Sequence, residues 1–186
     1  MKLHYLLWML PLLGAGCGGD DDPVIENEPE LITDITLTLS PRNPNEPTVT
    51  LAFNDPDGEG PAPATRTEDG VLTANTTYVG NLEFRNASDP DDVEFVNAEI
   101  SAEATDHQVF YVARGLSLDL QYTDFDTDGA PLGLTTLLTT RAAGRGTLTV
   151  TLRHEPSKGN SGVTISTPER AGGTTDAEVV FPITVQ

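Results

Sequence analysis

The sequence predicts an all-β fold, an immunoglobulin-like antiparallel sandwich of about eight strands with one short helical insertion. Nearly every apolar stretch alternates with period two, which marks strands that bury one face. Turn-rich segments fall between these stretches at 54–58, 124–129 and 142–146. No repeat, heptad pattern or composition break divides residues 31–186, a length suited to one domain with its own core.

Taken in order, Ile35, Leu37 and Leu39 alternate with Thr36, Thr38 and Ser40. Val49, Leu51 and Phe53 oppose Thr48, Thr50 and Ala52. Tyr78, Leu82 and Phe84 alternate with Asn81, Glu83 and Arg85. Asp91 to Thr105 departs from this pattern: Val93, Val96 and Ile100 have helical spacing, and Pro90 precedes them, so a helix is expected there. His107 to Ala113 is apolar on both faces and reads as a central strand. Leu116, Leu118, Leu120 and Tyr122 resume the alternation, followed by a weaker candidate at Leu132 to Thr140. Leu148, Val150 and Leu152 form the next inward row, and Val179, Phe181, Ile183 and Val185 the last. Pro182, on the outward side of that last strand, has no N–H and points to an edge or a bulge.

The N-terminal end reads as targeting rather than structure. Lys2 precedes the apolar run Leu3 to Leu13, about the length of a signal-peptide core and too short for a permanent bilayer helix. Gly14-Ala15-Gly16-Cys17 follows and resembles the lipobox of bacterial lipoproteins. That resemblance implies a signal peptide at 1–16, cleavage before Cys17, and a diacylglycerol on its thiol that anchors the protein in the membrane. Cys17 is the only cysteine, so no intramolecular disulfide can form, and acylation accounts for a lone thiol in an exported chain. Residues 17–30 carry Gly, Asp, Glu, Pro and Asn with almost no apolar content, the composition of a disordered tether.

Twenty-nine acidic residues against ten basic ones give a formal charge of −19, and loss of Lys2 with the signal peptide takes this to −20. A field of that sign repels nucleic acid, which is excluded as a partner, and favours cationic or metal ligands.

The chemistry-bearing motifs are few. No Gly-x-Ser-x-Gly elbow, phosphate-binding loop or dinucleotide fingerprint occurs, and no catalytic residue is assigned, so the protein is expected not to be an enzyme. Asp124, Asp126 and Asp128, followed by Gly129, have the spacing that opens a calcium loop, although position twelve is Thr135 and the flanks read as strands. Asp55, Asp57 and Glu59 form a second acidic, glycine-rich loop. Both loops read either as hairpin turns or as cation sites. Beyond the signal peptide only His107 and His154 remain, each at a strand end. Should their strands be neighbours, the imidazoles converge, with Asp106 or Glu155 beside them, on a set suited to zinc, copper or iron. The alternative is that each histidine hydrogen-bonds a local carbonyl or acid.

Seven stretches resemble a group of small Bacteroidota lipoproteins catalogued as "type 1 periplasmic binding fold superfamily" proteins. They are ITDITLTLSP (32–41), TVTLAFNDPDGEGP (48–61), LTANTTYVGNLEF (72–84), DHQVFYV (106–112), QYTDFDTDGAPLG (121–133), GTLTVTLRHEPSKG (146–159) and AGGTTDAEVVFPITVQ (171–186). The resemblance implies an outer-membrane lipoprotein, on the surface or periplasmic face, serving as a binding accessory to a TonB-dependent receptor. The two-lobed parallel α/β architecture in the catalogue name does not follow, because the chain is strand after strand. A metal-binding lipoprotein and a purely structural or adhesive surface protein are the two alternative functions.

Overall fold

A computed structural model describes residues 31–58 and 60–186. The expected signal peptide, Cys17, the tether at 17–30 and Glu59 lie outside the described residues.

Among the described residues, ten strands form two antiparallel sheets. The larger sheet has the order β3 (Thr65–Asp69), β2 (Val49–Asn54), β1 (Asp34–Pro41), β4 (Thr77–Asn86), β8 (Thr135–Thr140), β7 (Leu118–Tyr122), with β5 (Glu94–Phe95) also paired to β4. The smaller has the order β10 (Thr174–Val185), β9 (Gly144–His154), β6 (His107–Arg114). The inward rows read from the alternation meet in one core: Ile35, Leu37, Leu39, Leu82 and Phe84 from the larger sheet, Val109, Leu148, Val150, Leu152 and Phe181 from the smaller. Fully burying each such side chain stabilises the fold by about 1.5–3 kcal/mol. This is the expected all-β sandwich.

Four local expectations change. The 91–105 helix shrinks to α1 (Asn97–Ala102), which buries Ile100, while Val93 is exposed. Residues 94–95 join β4 instead, and Asn97 holds α1 against it: the Asn97 Oδ1 accepts from the Phe84 N–H, and its Nδ2 donates to the Leu82 carbonyl. β6 is an edge strand rather than a central one. Both faces are buried from His107 to Tyr111, and loop backbone pairs with its outer edge, where the Val109 N–H donates to the Leu132 carbonyl and the Tyr111 N–H to the Ile165 carbonyl. Two strands had no alternating signal: β3 is exposed throughout, and β5 is two residues long. A second helical turn, α2 (Pro168–Ala171), was also not expected. Pro182 does sit on an edge strand, with its side chain outward. No helix among the described residues is long and apolar enough to cross a membrane.

The sheet end beyond β8 is closed by a buried threonine. The Thr140 Oγ1 donates to the Thr73 carbonyl at 2.6 Å and accepts from the Thr76 N–H at 3.0 Å. Thr140→Val keeps the shape and removes both bonds, leaving an unpaired donor and acceptor; the expected cost is about 1–3 kcal/mol. Urea melts with a lower midpoint and an unchanged slope would show it; an unmoved midpoint would mean that water replaces the hydroxyl.

Candidate metal centre

Strand register brings the two histidines together. His107 opens β6 and His154 closes β9, and these residues are directly paired across the sheet. Their rings stack with centroids 4.9 Å apart and planes 14° from parallel. His154 also pairs on its other side with Thr174 at the start of β10.

The acid comes from a bulge. Ladder pairing in β10 jumps from Thr175 to Ala177, so Asp176 is the inserted residue. An inserted residue bends the strand and re-aims its side chain, and here the carboxylate turns to the imidazoles. Asp176 Oδ2 lies 3.7 Å from His107 Nε2, and Oδ1 lies 3.9 Å from His154 Nδ1. Gly172 and Gly173, both at positive φ, lead the chain into this bulge. A side chain at Gly173 would collide with the His154 carbonyl oxygen, so the close approach needs glycine.

Burial shuts the cluster off from solvent: the side chains of His107, Asp176 and His154 are 1%, 3% and 13% exposed. Burial pushes the Asp176 carboxyl above the usual carboxylate range; the facing His154 and His107 counter only part of this. The His107 Nδ1 lies 3.2 Å from the carbonyl oxygen of Glu103, just after α1. A carbonyl only accepts, so Nδ1 carries the hydrogen and Nε2 presents a lone pair to Asp176 when the ring is neutral. Orientation of a ligating imidazole through its other nitrogen is the usual outer support of a metal site.

One ligand atom from each of the three residues lies within 4.8 Å of the others. Zinc binds imidazole nitrogen at about 2.0–2.1 Å and carboxylate oxygen at about 2.0–2.2 Å. The imidazole lone pairs lie in the ring planes, so an ion shared by both nitrogens requires the stacked rings to turn toward Asp176 as the ion is seated.

Asp106 and Glu155, the acids expected beside the histidines, are not part of this cluster. Both are exposed, and they join through the backbone: the Glu155 N–H donates to the Asp106 carbonyl at 2.6 Å, tying the ends of β6 and β9. Asp176 takes their place. Its only trace in the sequence is an acid just ahead of the final alternating run, after two glycines.

The acidic loops hold themselves together. Asp124 accepts from the N–H groups of Gly133, Leu134 and Thr135. Asp126 accepts from the N–H groups of Asp128 and Ala130 and from Lys158 Nζ at 2.7 Å. Asp128 is exposed. In the other loop, Asp57 accepts from the Ala62 N–H, and the Asp55 N–H donates to Thr33. These bonds build turns, as the hairpin reading expects.

No protein-family model, characterised protein or solved structure matches the chain.

Proposed function

We propose that this protein is a membrane-tethered, non-catalytic binding module of the cell envelope whose ligand is a divalent transition-metal ion, zinc first, held by His107, His154 and Asp176. The convergence of two imidazoles and one carboxylate from three neighbouring strands carries the reading. Nitrogen and oxygen donors of this kind suit zinc or iron, and a strongly acidic surface raises the local cation concentration. The membrane tether is the lipid expected on Cys17. The accessory role beside a TonB-dependent receptor follows from the family resemblance, and recovery of such a receptor with the tagged protein from detergent-solubilised membranes would support it.

Titration of the metal-free purified protein with zinc should saturate at one equivalent. The His107→Ala/His154→Ala variant should lose at least about a hundredfold in affinity, since even outer-shell changes at metal sites cost ten- to a hundredfold. A stoichiometric ion that survives in the double variant would overturn this assignment. The cluster would then be a buried ion-pair network between strands.

A further inference from the structure

A cavity of about 520 Å³ lies on the outer face of the larger sheet, with no residue of the histidine cluster in its lining. Strand register lays its floor. Thr38 on β1 pairs with Asn81 on β4, and Asn81 pairs with Thr135 on β8, so these residues stand in one row across three strands. Thr36 and Glu83, paired with each other, begin a second row two residues along. All of them line the cavity and none is buried, because they alternate with the buried Leu37, Leu82 and Thr136 and so point outward. Ser101 of α1, which is exposed, stands on the wall.

The chemistry of this floor is selective. Asn97 and Asp124 also line the cavity, but their side chains are taken up by backbone groups. The threonine and serine hydroxyls and the Asn81 amide both donate and accept, and the Glu83 carboxylate, 45% exposed, accepts. No lysine or arginine is in the lining, and Arg85 on β4 is paired with Asp34 and Glu83. An anion would need donors or positive charge here, and an ammonium group acceptors alone. A ligand hydroxyl donates and accepts at once, and so matches the mixture. Neighbouring strands lie about 4.8 Å apart, close to the length of one pyranose unit, so the straight row from Thr38 to Thr135 follows the repeat of an extended sugar chain. Phe95, 57% exposed, pairs directly with Arg85 and therefore shares the outer face with Glu83, offering a ring surface to sugar C–H groups.

We propose that this cavity is a second binding site, for a neutral oligosaccharide with an extended backbone. Successive sugar units lie across β1, β4 and β8, and their hydroxyls bond to Thr38, Asn81, Thr135 and Glu83. The net charge of −19 disfavours acidic sugars at the same site. The site shares no residue with the histidine cluster, so it stands whether or not a metal binds there.

Calorimetric titration of the full-length protein with cellotetraose, mannotetraose and xylotetraose, in the presence of a metal chelator, is the test. At least one of the three should bind saturably at one equivalent. Asn81→Ala combined with Glu83→Ala should weaken that binding at least about tenfold, as for loss of a hydrogen bond to a charged group, with the melting temperature unchanged because both side chains face outward. Tetragalacturonate, of similar length but acidic, should bind at least about tenfold more weakly than the best neutral sugar. Absence of binding by all three neutral sugars would overturn the inference and leave the metal reading untouched. Unchanged affinity in the double variant would place the sugar outside this cavity, and equally tight tetragalacturonate would show that the site does not select neutral ligands. Sugar binding that appears only when zinc replaces the chelator would move the ligand to the histidine cluster.

Discussion

Replacing Lys158 with methionine should destabilise the domain by about 3–5 kcal/mol, the cost of leaving one member of a buried ion pair alone. Lys158 Nζ donates to Asp126 Oδ2 at 2.7 Å and to the Ala104 carbonyl at 2.6 Å. The two side chains are 5% and 2% exposed, so solvent does not screen the interaction. One ammonium group thus joins three segments: the loop after β9, the turn between β7 and β8, and the chain between α1 and β6. At about 2–4 °C per kcal/mol for a domain of this size, the melting temperature should fall by about 10 °C. Lys158→Met combined with Asp126→Leu removes both charges and should recover much of the loss. A single variant that melts within a degree of wild type would mean that the pair is worth no more than a surface contact.

The same pair sets an acid limit. Burial alone would raise the Asp126 carboxyl. The Lys158 hydrogen bond, the Ala130 N–H, the Lys158 charge and the Asp128 N–H outweigh it and hold the group below its usual range. A carboxylate depressed in the folded state contributes stability that is complete above its unfolded value, about 3.9, and is lost as pH falls through the folded value. Chemical denaturation below about pH 4 should therefore show a steeper loss in wild type than in the double variant.

Zinc should raise the melting temperature of the wild-type protein by about 5–10 °C at a hundredfold excess over its dissociation constant. Such an excess adds about 2.7 kcal/mol to the native state by mass action. Asp176→Asn should abolish that rise without lowering the metal-free melting point. Its buried Oδ2 accepts no hydrogen bond from the described residues, so a neutral amide removes a desolvated charge. Calorimetry with zinc and with chelator would separate the two effects. A zinc shift equal to wild type in Asp176→Asn would take the carboxylate out of the site.

The chain advertised some of this and hid the rest for identifiable reasons. β1, β4, β9 and β10 were legible because their aliphatic residues alternate and those rows enter the core, as Leu148, Val150 and Leu152 do in β9. β3 was not, because TRTED is exposed throughout and becomes a strand only by pairing with β2. The helical spacing over 91–105 overstates the helix because residues 94–95 ahead of it pair with β4 instead, and tertiary pairing overrides propensity. The histidines could be matched because each lies at a strand end, His154 at the close of an inward-phased row and His107 at the start of a stretch apolar on both faces. Asp176 could not, because a bulge is a change of register between two strands and leaves no pattern in either one. Lys158 was invisible for a similar reason: nothing in its neighbourhood in the sequence reports that Asp126 and Ala104 close over it.

The position of β1 has a mechanical consequence. The chain runs from Ile32 directly into this strand, which is bonded along its length to β2 on one side and β4 on the other. A protein held at that end and pulled by flow or by a partner would load both ladders lengthwise, so that many hydrogen bonds share the force and must fail together. Had the entering strand been β3 or β7, at the sheet margins, the same pull could peel it away one bond at a time.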